Sequence, residues 1–193
     1  PRVEPPCPYV ERCGGCTLQD LAYEDQLRLK RSWIQRATEP LGPREVPEIT
    51  PLPDPWRYRN KIELSFQQMG GEPLILGYHA AGSYTKIVDV DDCLLAPEPV
   101  MAVFRTIRSL AREMKLSGWN PYSQRGWLRY LTIRHSRSTG RLGVCVTTGP
   151  GERQTMQQLA RKLMTEQPAV SGFWWGIRAS VGDSSAPESL ELR

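Results

Sequence analysis

The segment Asn60-Lys61-Ile62-Glu63-Leu64-Ser65-Phe66 alternates apolar and polar side chains with a period of two. Ile62, Leu64 and Phe66 then share one side of an extended chain and Lys61, Glu63 and Ser65 the other, which is the pattern of a half-buried β-strand. Met69-Gly70-Gly71-Glu72 follows as a turn, and Leu74 to His79 returns as the hairpin partner. Lys86 to Val90 makes a third short strand that ends beside Cys93. A second hairpin is predicted from Leu128 to His135, across a loop at Ser136 to Gly140, and back along Leu142 to Thr148. A last strand runs from Val170 to Ile177.

Helical periodicity separates these strands. Pro97 or Pro99 opens a helix whose apolar stripe is Val100, Val103, Phe104, Ile107, Leu110, Ala111 and Met114, with Gly118 as its stop. Glu152 to Glu166 forms another and buries Met156, Leu159, Ala160 and Leu163. Hairpins alternating with two flanking helices define the expected fold class: α+β, a largely antiparallel sheet of two hairpins with flanking helices, preceded by an N-terminal cysteine-rich segment. Upstream, Leu18 to Ala37 reads as a helix with Tyr23, Leu27, Lys30, Ile34 and Ala37 on one face, ended by Pro40, Gly42 and Pro43. Pro47 to Pro55 is an extended connector, because each proline biases its predecessor away from the α region.

The chain has 193 residues, of which 39% are hydrophobic and 24% charged, the balance of a globular protein. No run approaches the roughly 18 apolar residues that a membrane helix needs, and no basic-then-apolar signal segment opens the chain. A cytoplasmic location with no membrane partner is therefore expected. Because the first residue is Pro1 and the end follows a polar stretch from Gly182 to Glu188, the sequence reads as an excerpt from a longer protein. The net charge of +4 is unevenly spread. Residues 105–141 hold Arg105, Arg108, Arg112, Lys115, Arg125, Arg129, Arg134, Arg137 and Arg141 against Glu113 alone. That surplus is the footprint of a polyanion site or, equally, of a solvated basic face.

Five cysteines are an odd number, which rules out complete disulfide pairing within the chain. Three are clustered in Cys7-Pro8-Tyr9-Val10-Glu11-Arg12-Cys13-Gly14-Gly15-Cys16, and a fourth arrives at Cys93. Gly14 and Gly15 let the backbone bend so that Cys13 and Cys16 can face one centre. Four thiolates suit an iron–sulfur cluster or a structural zinc, although the second C-x2-C pair of a zinc ribbon is missing. Unrelated buried thiols are the third reading. Cys145, between Val144 and Val146 in a predicted strand, is expected to be a buried structural thiol. His79 and His135 have no ligand-spaced neighbours and read as ordinary polar residues.

Taken together these motifs are specific. The chain resembles the 23S rRNA (uracil-5-)-methyltransferase family, the enzymes that make 5-methyluridine in RNA. The resemblance rests on Cys7, Cys13-Gly14-Gly15-Cys16, Leu18-Gln19, and Tyr23, Gln26 and Lys30 on the first helix. It continues through Tyr58-Arg59-Asn60-Lys61, Leu76-Gly77-Tyr78, Ile87-Val88-Asp89-Val90, Cys93 and Leu128-Arg129-Tyr130-Leu131-Thr132-Ile133-Arg134. Beyond about residue 150 only the helix-then-strand order matches.

The resemblance implies that Cys7, Cys13, Cys16 and Cys93 bind a 4Fe–4S cluster. It also implies that the chain corresponds to a central domain, set in the family between an N-terminal RNA-binding barrel and a C-terminal catalytic domain that binds S-adenosylmethionine. On this reading residues 1–20 are the cluster-binding segment, and 21–56 a helix and connector that would pack on the catalytic domain. Residues 57–193 are then the central α+β RNA-binding domain. Trp33 and Ile34 would be exposed on the first helix if that domain is absent. No Gly-rich loop follows a strand to hold S-adenosylmethionine, and no cysteine is left to attack carbon 6 of uracil, so the parent would be the enzyme and this piece inactive alone. Expected RNA contacts are Arg57, Arg59 and Lys61 at the entry to the first strand, and Arg129, Arg134 and Arg137 on the second hairpin. Trp56, Tyr58, Trp127 and Tyr130 could stack on unpaired bases, with core positions as the competing role for Tyr58 and Trp127. The expected partner is 23S rRNA and the expected state monomeric. The alternative is a stand-alone zinc or iron–sulfur RNA-binding module with no methyltransferase activity.

Overall fold

A computed structural model describes residues 2–42, 45–182 and 184–192. In chain order the elements are α1 (Tyr23–Thr38), β1 (Lys61–Gln67), β2 (Ile75–His79), β3 (Ile87–Asp89), α2 (Glu98–Glu113), β4 (Leu128–His135), β5 (Leu142–Thr148), α3 (Arg153–Glu166), β6 (Val170–Ile177) and β7 (Ser189–Leu192). The strands form one seven-stranded sheet in the order β3-β2-β1-β4-β5-β6-β7. Every neighbouring pair is antiparallel except β5 and β6. That one parallel join is forced by α3, which carries the chain from the end of β5 back to the start of β6, as a parallel connection requires.

Period-two alternation divides the sheet into two faces. Ile62, Leu64, Phe66, Leu76, Leu131, Ile133, Val144, Val146, Phe173 and Trp175 are buried in a single core with Val100, Val103, Phe104 and Ile107 of α2 and Met156, Leu159 and Leu163 of α3. The opposite face carries the alternate residues, among them Lys61, Glu63, Ser65 and Gln67 of β1. Their partners across β4 are Arg134, Thr132 and Tyr130. Helices thus cover one face and leave the other to loops and solvent.

Part of the basic stretch is consumed in bracing this fold. Arg108 of α2 donates to Asp89 Oδ1 at 2.9 Å, the Val90 carbonyl at 2.8 Å and Asp91 Oδ1 at 2.7 Å. Arg112 donates to the Leu74 carbonyl at 2.8 Å and Asp89 Oδ2 at 3.1 Å, and Arg105 pairs with Glu98. The Arg108 and Arg112 bonds hold α2 to the β2–β3 edge, while the Arg105–Glu98 pair closes within α2, so the charge surplus of residues 105–141 overstates the cation available to a partner.

Gly77 is where the edge pairing is most exacting. It lies opposite Asp89 in the β2–β3 ladder, and a Cβ added there would collide with the Val88 carbonyl. Gly77→Ala is expected to separate β3 from β2 and to lower stability by about 2–3 kcal/mol, as overpacking does; chemical denaturation reads this directly. Unchanged stability would mean that β3 relaxes freely.

Several boundaries differ from expectation. The first helix begins at Tyr23, because Leu21 bridges Arg2 and Val3 N–H donates to the Asp20 carbonyl at 2.8 Å, which keeps residues 18–22 out of the helix. Pro43 lies outside the described residues. Gly118 does not stop α2, which ends at Glu113 with Lys115 in the left-handed region at φ 52°. The edge strand β7 was not anticipated, since four residues after a polar loop give too short an alternation to register. Cys145 is half-buried, not fully buried, because it sits on the face opposite Val144 and Val146. No helix among the described residues is long and apolar enough to cross a membrane.

Candidate functional site

The N-terminal segment is tied to the end of β2. Tyr9 accepts the Arg12 and Cys13 amides at 3.0 and 2.7 Å, closing a tight turn. Gly14 N–H donates to the His79 carbonyl at 2.9 Å and Ala81 N–H to the Arg12 carbonyl at 2.8 Å, with Cys13 bridging Ala80. The loop after β3 is brought alongside by Tyr9, whose hydroxyl accepts the Asp91 amide at 3.1 Å.

Arg57 then locks that second loop. Its Nη1 donates to Asp92 Oδ1 at 2.8 Å, the Cys93 carbonyl at 3.0 Å and the Ala96 carbonyl at 2.8 Å, while Nη2 meets Asp92 Oδ2 at 2.6 Å. The backbone adds Arg57 N–H to the Leu94 carbonyl at 2.8 Å and Arg59 N–H to the Leu95 carbonyl at 2.9 Å. Arg57 itself adopts φ 52°, a left-handed conformation uncommon outside glycine. The planar fork of a guanidinium suits this double engagement with a carboxylate, where lysine could make only a point contact.

The result is one cavity lined by Cys7, Cys13, Cys16 and Cys93, walled by Tyr9, Tyr78 and Arg59. Burial pushes the Cys7 thiol up, and the neighbouring Cys16, Cys93 and Asp92 charges push it the same way. Cys13 is raised by burial and by Cys16, Cys93 and Cys7, while the Gly15 amide opposes the shift from 3.4 Å. Burial and neighbouring negative charge thus hold the Cys7 and Cys13 thiols back from ionising, which marks a site short of positive charge. Burial and the adjacent Cys93 push the Tyr78 hydroxyl up, and that buried hydroxyl has no well-formed hydrogen bond among the described residues. Arg59 is the cation of this wall: burial works against its charge, but Tyr58, Tyr78 and Cys93 more than offset it. Among the described residues no three His, Cys, Asp or Glu side chains converge on a single metal-ion position.

The six cations expected to contact RNA therefore separate. Arg57 is committed to the Cys93 loop and Arg59 to the cysteine cavity. Arg129 is buried, contrary to the expectation that it faces solvent. A register shift between Leu128 and Tyr130 breaks the alternation at that residue. The side chain lies over the Trp119 ring at 3.8 Å and donates to the Ser180 carbonyl at 2.7 Å. Lys61 and Arg134 face each other across the β1–β4 ladder, with Glu63 bonded to Lys61 at 2.7 Å and its carboxyl held low first by Lys61, then by Ser185 and Arg134. Arg134 and Arg137 are exposed, and Arg137 also donates to the Arg57 carbonyl. Of the aromatics, Tyr58 is exposed, while Trp56, Trp127 and Tyr130 are half-buried. His79 Nε2 lies 3.1 Å from Ser65 Oγ, an ordinary polar contact. On α1, Trp33 and Ile34 are 46% and 44% exposed.

No family model matches the chain. It is 34% identical over 175 residues to an uncharacterized RNA methyltransferase of Halalkalibacterium halodurans, covering 89% of this chain and 38% of that protein. It is 33% identical over 184 residues to one of Chlorobaculum tepidum, covering 86% and 38%. The chain thus spans about two fifths of the length of these relatives. Among solved structures it is similar to Pyrococcus abyssi tRNA (uracil-54, C5)-methyltransferase in complex with S-adenosyl-L-homocysteine. That match has a TM-score of 0.69 and 25% identity, and covers 93% of this chain and 41% of that one.

Proposed function

We propose that these residues form the cluster-binding and RNA-facing section of an S-adenosylmethionine-dependent RNA (uracil-5-)-methyltransferase. The observation that carries this reading is the convergence of Cys93 with Cys7, Cys13 and Cys16 on one cavity, in a chain similar to RNA methyltransferases along nearly nine-tenths of its length. The proposed division is 1–20 for the cluster segment, 21–56 for the helix and connector, and 57–193 for the RNA-facing α+β domain.

Four cysteines with no histidine among the lining residues match the ligand set of a 4Fe–4S cluster. A four-thiolate zinc is the competing occupant, and the resemblance to the cluster-binding family favours the cluster. Arg59 offsets the negative charge of the bound thiolates, and Tyr78 offers the buried hydroxyl as a hydrogen-bond donor to sulfur. Bound there, the cluster would supply a rigid crosslink between the N-terminal segment and the loop at Cys93.

The methyl transfer itself is assigned to sequence outside these residues. Attack on carbon 6 of uracil needs an activated thiolate. Four cysteines are committed to the cavity, and burial pushes the Cys145 thiol up, away from the reactive form. What this chain contributes is a surface. Lys61, Arg134 and Arg137 hold phosphates while the target nucleotide is taken out of its stack. The cysteine pattern favours 23S rRNA as substrate, and the solved neighbour's tRNA activity makes tRNA the second candidate. Labelled methyl transfer to both RNAs tests this. A protein of the relatives' full length is expected to methylate uracil in a 23S rRNA fragment, and the 193-residue chain to bind that RNA without turnover. Turnover by the 193 residues alone, or methylation of tRNA only, would contradict it.

A further inference from the structure

The loop-covered face of the sheet holds a second concavity, which shares no lining residue with the cysteine cavity. It lies between the β2–β3 turn and the loop that precedes β4. Its floor is polar yet buried: Ser65, Gln67 and Arg129 are only 8%, 7% and 5% exposed. Gln67 is fully engaged, donating to the Thr85 carbonyl at 2.6 Å and accepting from the Ile87 amide at 3.3 Å. Arg129 is not. One Nη serves the Ser180 carbonyl, but its buried Nε has no acceptor among the described residues, which leaves a buried donor for a ligand to satisfy.

The rim is aromatic. Tyr84 and Tyr122 flank the opening and are 77% and 65% exposed. Tyr122 is held in place, since Asn120 Oδ1 accepts the Tyr122 and Ser123 amides at 2.9 and 3.1 Å, and its hydroxyl reaches Thr85 Oγ1 at 3.4 Å across the groove. Lys86 and Arg125 are exposed on the same two loops. Large rings held outside the core gain nothing for folding, whereas rings beside a buried guanidinium and flanking cations match the three parts of a nucleotide.

We propose that this concavity binds one unpaired nucleotide of an RNA strand, its base stacked on Tyr84 or Tyr122, an acceptor on its polar edge receiving a hydrogen bond from Arg129 and its phosphates paired with Lys86 and Arg125. The proposal rests on the RNA reading above and locates a stacking subsite that the cationic residues of β1 and β4 do not contain. A purely apolar ligand would be penalised by the polar floor, and a free phosphate would make no use of the rings.

The test measures binding of a 15-nucleotide mixed-sequence single-stranded RNA and of the same sequence as a duplex, at fixed salt. Tyr84→Ala and Tyr122→Ala are expected to weaken single-strand binding, the stacking ring by about 5- to 150-fold, and to leave duplex binding within about twofold. Tyr84→Phe and Tyr122→Phe should retain wild-type affinity, because the ring and not the hydroxyl is used. Both positions are exposed, so circular dichroism and melting should match wild type. If both alanine variants bind the single strand as wild type does while Arg134→Gln with Arg137→Gln weakens it, the subsite is wrong and the RNA reading stands. If the wild-type protein binds neither RNA, the RNA reading falls and the subsite with it.

Discussion

Replacing Cys93 with serine is expected to yield a folded but colourless protein, with iron reduced from about four atoms per chain to below one. Cys7, Cys13 and Cys16 sit on one short segment, whereas Cys93, of the four proposed ligands, comes from the loop after β3 and closes the site from the other side. A serine hydroxyl is a harder donor than a thiolate and holds its proton far more tightly, so it does not replace the lost bond to iron. A cluster held there would close a long loop between Cys16 and Cys93. By the loop-closure argument its removal costs about 4 kcal/mol, readable as a lower midpoint in anaerobic denaturation. The sheet core contains none of the four cysteines among its fully buried residues, so secondary structure should survive. Cys145→Ser is the control and should keep its iron, since Cys145 lines no part of the cavity. Full iron content in Cys93→Ser would remove Cys93 from the ligand set. Loss of RNA binding in that variant, with folding intact, would mean that the cluster does more than crosslink.

Arg57→Ala is expected to have nearly the same effect while leaving every cysteine in place. The substitution strands Asp92 and the Cys93 and Ala96 carbonyls, all of which now share one guanidinium. The Arg57 side chain is about one third exposed, 34% against 37% for Asp92, so solvent discounts the ion pair. A stability loss of about 2 kcal/mol is expected from the unmade hydrogen bonds. The larger result is functional: the Cys93 loop loses its anchor, and iron per chain should fall by more than half. Arg57→Lys should not restore it, because an ammonium cannot make the paired contacts. Asp92→Asn should fall between. Full cluster loading in Arg57→Ala would show that the loop is positioned by its backbone bonds alone.

Much of the sheet was legible because its strands alternate cleanly. Leu128 to His135, Leu142 to Thr148 and Val170 to Ile177 are found at the residues expected. The stripe of α2 was equally clear, since Val100, Val103, Phe104 and Ile107 recur at helical spacing and are buried. The parallel β5–β6 join was not legible, because alternation says which residues share a face and nothing about strand direction. Arg129 was misplaced for a related reason. A register shift beside it puts a cation where the pattern predicts a solvent-facing one, and only the folded loop shows Trp119 beneath. The four cysteines could be grouped from spacing and resemblance, but the residues that hold the group together could not. The sequence carries no mark of the carbonyls and the carboxylate that surround Arg57 once folded, or of the tyrosines and Cys93 beside Arg59.

The most direct measurement is the metal and acid-labile sulfide content of the wild-type protein purified without oxygen, together with its visible spectrum. The account predicts about four iron and four sulfide per chain and a broad absorbance band at the blue end of the visible range. A colourless protein carrying one zinc per chain would contradict it.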